Sequence, residues 1–343
     1  MSLKLIALPG GTGTIGTSIV SALLAPENQK LYKPVILSRS TPTSPPGTTS
    51  PKQITSIRDK KTYEIETRFV DYTSIPSLSS ALEGVYAVIS TLLVPGPECV
   101  EYHLNLLSAS ITAGVKRFVP SEFALPQSSH GMVDVDKSKI TIWTEVQNAV
   151  QKGEIDAAAF PVGMFMNYLA IGHPDPDVEK EARAGFREGA LMFYLGGDEP
   201  YAEIPLNEDG SGNGFPDITM TDIRDVGTFV VAALGMEEAW GARELGIAGD
   251  TLNLGEISAL LEGVLGEKYT ERIVSIAELE GRIAGSVNSA EAFFRGLETQ
   301  YVIACGRGGS VVEGVLNRRC PDIKAMVIRE FMERYWGNIS EKQ

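Results

Sequence analysis

The stretch that most constrains this chain lies near its start. An apolar run from Leu3 to Leu8 leads into glycines at 10, 13 and 16, and Thr17 to Leu24 then reads as a helix. A strand that turns sharply into a helix presents free backbone N–H groups and the positive end of the helix dipole at the turn, which is where a diphosphate can sit. Side chains there would hold the anion away. Gly10 suits a positive-φ turn, Gly13 lets the backbone come close to phosphates, and Gly16 lets the helix lie close on the strand. The spacing therefore predicts a dinucleotide-binding turn built from Gly10, Thr12, Gly13, Thr14, Ile15 and Gly16.

The residues that follow keep alternating between strand and helix. Pro34 to Ser38 is a short apolar strand ending in Ser38, Arg39 and Ser40. A carboxylate at the end of the second strand would bind a ribose 2′-hydroxyl, whereas an arginine pairs with a 2′-phosphate. Arg39, between two hydroxyl residues and with no acid nearby, points to the phosphorylated dinucleotide, NADP(H). Arg58, Lys60 and Lys61 are further cations that could close over the same phosphate, although such a cluster is commonly a solvated face. Thr41 to Lys52 is rich in Pro, Ser and Thr and is expected to be a flexible surface loop.

A third strand is read at Thr67–Asp71, a helix at Ile75–Leu82, a fourth strand at Tyr86–Leu92 and a helix at Glu101–Ala113. A fifth strand, Arg117–Pro120, leads into Ser121, Glu122 and Phe123. Thr91 and Leu92, with Ser121, Glu122 and Phe123, then fall at the carboxyl edge of a parallel sheet and are candidate cofactor contacts. Leu125 to Asp136, including His130, reads as a loop at that edge, with His130 expected to be exposed. Lys137 to Gln151 has helical periodicity, and Ile155–Phe160 is a sixth strand. The predicted fold class is α/β, a doubly wound parallel sheet with a smaller C-terminal substrate-binding α/β lobe. The expected division is 1–160 for dinucleotide binding and 161–343 mainly for substrate, with a segment around 217–235 returning to the first unit.

Charge and composition narrow the partners. Thirty Lys and Arg against 44 Asp and Glu give a net charge of −14, which disfavours nucleic acid and anionic membranes. No apolar run is long enough to span a bilayer and no cleavable leader is visible, so the expected location is the cytoplasm. Cys99, Cys305 and Cys320 are few and far apart; they suggest neither a disulfide framework nor a metal site. The partner expected is a small molecule bound by a monomer or homodimer. After the sixth strand, Pro161 to Leu169 is apolar and aromatic, and Met164, Phe165, Met166 and Tyr168 are candidate pocket walls. Asp217–Asp222 reads as a strand entering a helix over Ile223–Leu234. Further helices are expected at Glu256–Leu265, Ala277–Ala284 and Pro321–Trp336.

Taken together, Gly10 to Gly16, Arg39, the segment Val115-Lys-Arg-Phe-Val-Pro-Ser-Glu-Phe123, Gly163-Met-Phe-Met-Asn-Tyr168 and Asp222-Ile-Arg-Asp-Val-Gly227 resemble the NmrA-like and isoflavone reductase-like family of atypical short-chain dehydrogenases, fungal type. The resemblance implies an NADPH-dependent reductase of a small, aromatic or specialised secondary metabolite; it also admits an NADP-sensing regulator without turnover, or a non-redox isomerase on the same scaffold. Reduction needs a proton donor near the accepting atom. A Tyr-x-x-x-Lys pair is not available, because no tyrosine lies between Tyr102 and Tyr168. The reductases of the family use a lysine on the helix before the sixth strand. Counting back from Ile155, the family spacing lands close to Trp143, so Lys139, on the same helical face four residues earlier, is the first candidate and Lys137 the alternative. Trp143 itself becomes a candidate substrate contact. A catalytic lysine of this kind is expected to have its pKa lowered by an apolar site and the adjacent cofactor.

Overall fold

A computed structural model describes residues 3–337 except 95, 188, 198, 209–213, 267 and 285–289, and without the side chains of 284 and 290–294. The first half runs β1 (Lys4–Pro9), α1 (Thr14–Leu23), β2 (Tyr32–Arg39), β3 (Thr49–Thr55), β4 (Thr62–Val70), α2 (Ile75–Ala81), β5 (Val85–Ile89), α3 (Glu98–Thr112), β6 (Arg117–Val119), α4 (Lys137–Gln151) and β7 (Asp156–Ala159). The second half continues with β8 (Met164–Phe165), α5 (Pro176–Arg183), β9 (Phe193–Tyr194), β10 (Tyr201–Pro205), β11 (Asp217–Thr221), α6 (Ile223–Leu234), β12 (Arg243–Glu244) and β13 (Asp250–Asn253). It closes with α7 (Leu254–Leu265), β14 (Thr270–Val274), α8 (Ile276–Ala284), α9 (Ala290–Gly306), α10 (Val315–Arg319) and α11 (Ile328–Trp336).

Eight strands form one sheet in the order β12-β7-β6-β5-β1-β2-β4-β3. All its pairings are parallel except β3 with β4. The carboxyl ends of β1, β2, β5 and β6 therefore share one edge. The chain moves outward from β1 to one side and returns to build the other, so a crevice opens at that edge between β1 and β5. Helices cover both faces of the sheet. Buried residues of α1 and α6, such as Ile19, Leu23, Phe229 and Val230, pack with Ile6 and Leu8 of β1 on one face. Leu78, Leu106, Leu107, Ile142 and Val146 from α2, α3 and α4 cover the other. Two three-stranded sheets, β14-β10-β9 and β13-β11-β8, belong to the second half, with their own apolar cluster.

Of residues 217–235, α6 packs against α1, while β11 pairs with β8 and β13 away from the large sheet. The helix contact is close because Gly227 has no side chain: a Cβ there would lie 2.3 Å from the Ser18 carbonyl oxygen. The Gly227 N–H donates to Ser18 Oγ at 3.1 Å.

Two segments depart from the sequence expectation. Thr41–Lys52 is not wholly a loop, since Thr49 onward is strand β3, hydrogen-bonded antiparallel to β4. Pro51 had argued against a strand; it is tolerated because β3 is the edge of the sheet, where a missing N–H leaves no ladder partner unserved. The last helix is shorter than the predicted Pro321–Trp336 and starts at Ile328. Its approach is pinned by carboxylates, Met326 N–H donating to Asp225 Oδ2 at 2.7 Å and Ile328 N–H to Asp250 Oδ2 at 3.1 Å. Helices α9 and α10 were not anticipated.

Arg117, in the middle of the segment that carried most of the family resemblance, has a structural task. Its guanidinium is buried at the C-terminal end of α6 and donates to the carbonyls of Ala233 at 2.9 Å, Leu234 at 3.3 Å, Met236 at 2.5 Å and Glu238 at 3.2 Å. The first two are carbonyls of the last turn of α6, which the helix itself leaves unserved, and the other two belong to the turn that follows. The guanidinium also lies 4.5 Å over the Trp240 ring and 3.8 Å from Asp156 Oδ2. Replacing it with methionine keeps the bulk but strands buried acceptors beside a carboxylate. Arg117→Met is expected to lower stability by roughly 2–4 kcal/mol in urea unfolding, and Arg117→Lys, which cannot fork, to recover only part of that.

Candidate active site

The turn after β1 begins the site. Gly10 adopts φ +77°, and a Cβ on it would lie 2.6 Å from the Thr91 carbonyl oxygen. The end of β5 is thereby held against the end of β1, with Thr91 N–H and Oγ1 both donating to the Pro9 carbonyl at 2.8 and 3.1 Å. Gly16 is demanded by the turn itself, since its Cβ would meet the Gly10 oxygen at 2.5 Å and Gly11 Cα at 2.6 Å. Gly13 is different. It is exposed, it is the N-cap of α1 with no side chain capping the helix, and a Cβ there would approach only the Gly10 oxygen, at 3.2 Å. The packing of the protein forbids a side chain at Gly10 and Gly16, whereas at Gly13 it only crowds one, at an exposed and uncapped helix start that fits a diphosphate. Thr12 is exposed and Thr14 and Ile15 are half-buried. Thr14 Oγ1 donates to the Gly185 carbonyl at 3.0 Å, so the segment after α5 reaches over the turn.

Around this turn the sheet edge arranges the other candidates. Ser38 and Ser40 are half-buried at the end of β2, and Arg39 between them is exposed and makes no ion pair or hydrogen bond among the described residues. Arg58 is also exposed, but its turn is tied to α1 further along, Ile57 N–H donating to Ser21 Oγ at 3.0 Å. Thr91, Leu92 and Ser121 are half-buried at the ends of β5 and β6. Glu122 and Phe123 turn inward: Phe123 stacks on Phe160 with ring centroids 6.1 Å apart, and the Glu122 carboxylate is buried against His130, Oε2 to Nε2 3.2 Å. His130 was expected to be exposed. It is buried because the loop after Phe123 folds into two 3-10 turns, Gln127–Met132 and Asp134–Asp136, which bring it back over Glu122. Glu122 Oε1 and His130 Nδ1 have no hydrogen-bond partner among the described residues.

The two candidate lysines separate clearly. Lys137 is exposed and pairs with exposed Asp134 at 2.6 Å. Lys139 is mostly buried and pairs with Asp136 Oδ1 at 2.7 Å, and that carboxylate is 3% exposed. Burial pulls the Lys139 pKa down, but Asp136 and then Glu122 outweigh it, so the ammonium sits above its ordinary range. The apolar surroundings expected for this lysine are not found: carboxylates stand beside Lys139 and favour its charged form. On its other side stand Cys99 and His103 of α3; burial pushes the His103 imidazole below its usual value, and its Nδ1 lies 2.8 Å from the Cys99 carbonyl. Asp136 escaped the sequence reading, although its place three residues before Lys139 is a spacing at which helical side chains meet.

The candidate substrate residues divide between two clusters. Met164, Met166 and Tyr168 are buried and Phe165 is half-buried in the cluster of the second half, with Phe186 4.6 Å from the Tyr168 ring and 5.7 Å from that of Phe165. Trp143 lies apart from them, buried under α3 with Leu106, Leu107 and Val146.

A strand, a glycine turn and a helix under an eight-stranded doubly wound sheet, with a half-buried lysine at its carboxyl edge, coincide with a sequence profile. The NmrA-like family profile matches residues 2–301. The chain belongs to the NmrA-like family. Among relatives, Oxidoreductase BOA1 of Botryotinia fuckeliana is 29% identical over 276 residues, covering 77% of each chain. Phenylcoumaran benzylic ether reductase PT1 of Pinus taeda is 23% identical over 340 residues, covering 96% of this chain and 98% of that one. In fold the chain is similar to an isoflavone reductase structure, TM-score 0.66 at 17% identity, covering 97% of this chain and 100% of that one. It is likewise similar to the binary complex of leucoanthocyanidin reductase with NADPH from Vitis vinifera, TM-score 0.64 at 15% identity, covering 97% and 99%.

In this NmrA-like chain the indole of Trp143 is buried, and the carboxylate that pairs with Lys139 stands about two turns before it, at the start of α4. No helix among the described residues is long and apolar enough to cross a membrane. The division of labour among the glycines is testable. Gly16→Ala is expected to cost about 1–3 kcal/mol in urea unfolding, because the turn must be pushed off α1. Gly131→Ala, where a Cβ would meet nothing within 4 Å, serves as the control and is expected to be nearly neutral.

Proposed function

We propose that this NmrA-like protein is an NADPH-dependent reductase of a small, aromatic or specialised metabolite. The observation that carries the reading is the pairing of two features at one sheet edge: the open, uncapped helix start at Gly13, and an ammonium at Lys139 held charged by buried acids. The names of the relatives point the same way, and one structural neighbour of the same fold is a complex with NADPH.

In this reading the backbone of Gly10 to Gly16, with Thr12, Thr14 and Ile15, receives the diphosphate at the N-terminus of α1. Arg39 pairs with the 2′-phosphate, flanked by Ser38 and Ser40. Thr91, Leu92 and Ser121 border the nicotinamide side of the crevice, while Glu122 and Phe123 support that border from inside. When bound, the dinucleotide supplies the hydride. Lys139 supplies the proton: its Nζ–H bond breaks as an O–H or C–H bond forms on the substrate, and the neutral amine left behind regains a proton from water, to which it is partly open. Met164, Phe165, Met166 and Tyr168 offer an apolar, aromatic wall suited to a flat substrate.

Three variants test the parts separately. Gly13→Ala is expected to weaken NADPH and NADH alike, because it crowds the shared diphosphate. Arg39→Asp is expected to weaken NADPH by about 10- to 100-fold with little change for NADH; both are read by titrating dinucleotide fluorescence. Lys139→Ala is expected to lower kcat by about 10²- to 10⁴-fold with dinucleotide affinity kept, measured as NADPH oxidation across a panel of enones, imines and aryl ethers. Tight NADPH binding by the native protein, with no oxidation on any of them, would overturn the reductase in favour of an NADP-sensing regulator.

A further inference from the structure

We propose that Asp136 is the positioning residue of this site, fixing Lys139 at the sheet edge as an ammonium, and that helix α9 takes part by fixing Asp136 through Tyr301. The inference rests on the reading of Lys139 as the proton donor, and it adds a part of the chain far from the dinucleotide turn to the machinery that serves it.

Asp136 stands at the start of α4 as the last residue of the 3-10 turn Asp134–Asp136, with helical backbone angles, φ −87° and ψ −14°. Here no side-chain cap bond forms. One oxygen, Oδ1, faces Lys139 Nζ at 2.7 Å, and the other, Oδ2, accepts from Tyr301 Oη at 3.3 Å. Both carboxylate oxygens are thus turned to side chains and away from the N–H groups of α4. It is 3% exposed, and a carboxylate that deep needs a cation and hydrogen bonds to stay ionised.

Tyr301 lies on α9, a helix of the second half. The neighbouring residue Gln300 grips the same loop from the same helix: Asp134 N–H donates to Gln300 Oε1 at 2.7 Å, and Gln300 Nε2 donates to Asp134 Oδ2 at 2.8 Å. Two successive residues of α9 thus hold the loop Asp134–Asp136 on either side of Val135, and Asp136 in turn holds Lys139. Among the described residues, Asp136 from the loop, Glu122 after β6 and Cys99 from α3 favour the charged form of Lys139, and the His103 imidazole of α3 feels the Lys139 charge in turn. His130 stands behind Glu122 at 3.2 Å. Of these, Asp136 is the one in contact, so removing its charge should release the ammonium most.

The test reads Lys139 directly in the protein without added dinucleotide. Competitive labelling of amines with acetic anhydride over a pH series, with Lys137 and Lys139 resolved by peptide mass spectrometry, gives the labelling midpoint of each. In Asp136→Asn the Lys139 midpoint is expected to fall by about one pH unit, a roughly tenfold faster labelling at fixed pH below the midpoint. Lys137, paired to Asp134, should not move. A change in plateau with an unmoved midpoint would show only loosened packing and would overturn the proposal, as would identical labelling in both proteins. If Asp136→Asn fails to fold, Asp136→Ser removes the same charge with less bulk and is read the same way. Tyr301→Phe is expected to lower kcat several-fold with NADPH affinity unchanged; an unchanged kcat removes α9 from the proposal. Failure here is separable from failure of the function itself. A shifted midpoint beside a fully active Lys139→Ala would keep Asp136 as the holder of Lys139 and remove Lys139 as the acid. An unmoved midpoint beside an inactive Lys139→Ala would do the reverse.

Discussion

The seat of α1 against the turn that follows β1 is the contact on which the other parts of this structure depend. Because Gly16 has no Cβ, the first turn of the helix can rest on the backbone of Gly10 and Gly11, and because Gly10 has none, the end of β5 can close on the same turn through Thr91. These contacts fix where the helix dipole points and how far the crevice between β1 and β5 opens. Gly13 stands between them, exposed at the helix start with only the Gly10 oxygen close to where its Cβ would be. A rigid frame around one vacant approach is what a bound anion needs from a backbone, since any frame that could relax would close over the gap.

Around Lys139 the controlling physics is charge in a place poor in water. Desolvation alone would strip a proton from a buried lysine, and in many enzymes that is how a base is made. Here Asp136 and Glu122 reverse the balance. The difference matters for chemistry, because a hydride acceptor develops negative charge, and a standing ammonium both attracts that charge and can neutralise it by giving up a proton. A neutral amine at the same position would do neither. The buried Glu122 and His130 stand 3.2 Å apart, with one carboxylate oxygen and both ring nitrogens making no hydrogen bond among the described residues.

What could be read in the chain beforehand follows how local each feature is. The glycine turn between β1 and α1, the bounds of α4 and those of α6 depend on neighbours in sequence, and each was legible. Strand β3 was hidden because Ser, Thr and Pro dominate it, and only its pairing with β4 makes it a strand. His130 looked exposed because nothing adjacent to it predicts Glu122 opposite. Asp136 was within reach, three residues before the lysine it serves. Tyr301 was not: it comes from a helix more than a hundred residues later, and no pattern in the sequence ties the two. The polar surroundings of the lysine were missed for the same reason, since Glu122 meets it only in the folded chain.

The contact of α6 with α1 carries a consequence for how the molecule comes apart. Gly227 lets the two helices touch backbone to side chain at Ser18, and Phe229 and Val230 share one apolar layer with Ile6 and Leu8 of the first strand. Arg117 ties the far end of the same helix to β6. A chain cut after β7 would leave that layer open to water and the guanidinium without its carbonyls. The helix that carries the glycine turn is thus buried by a segment that the second half of the chain supplies, so the first half has no complete core of its own.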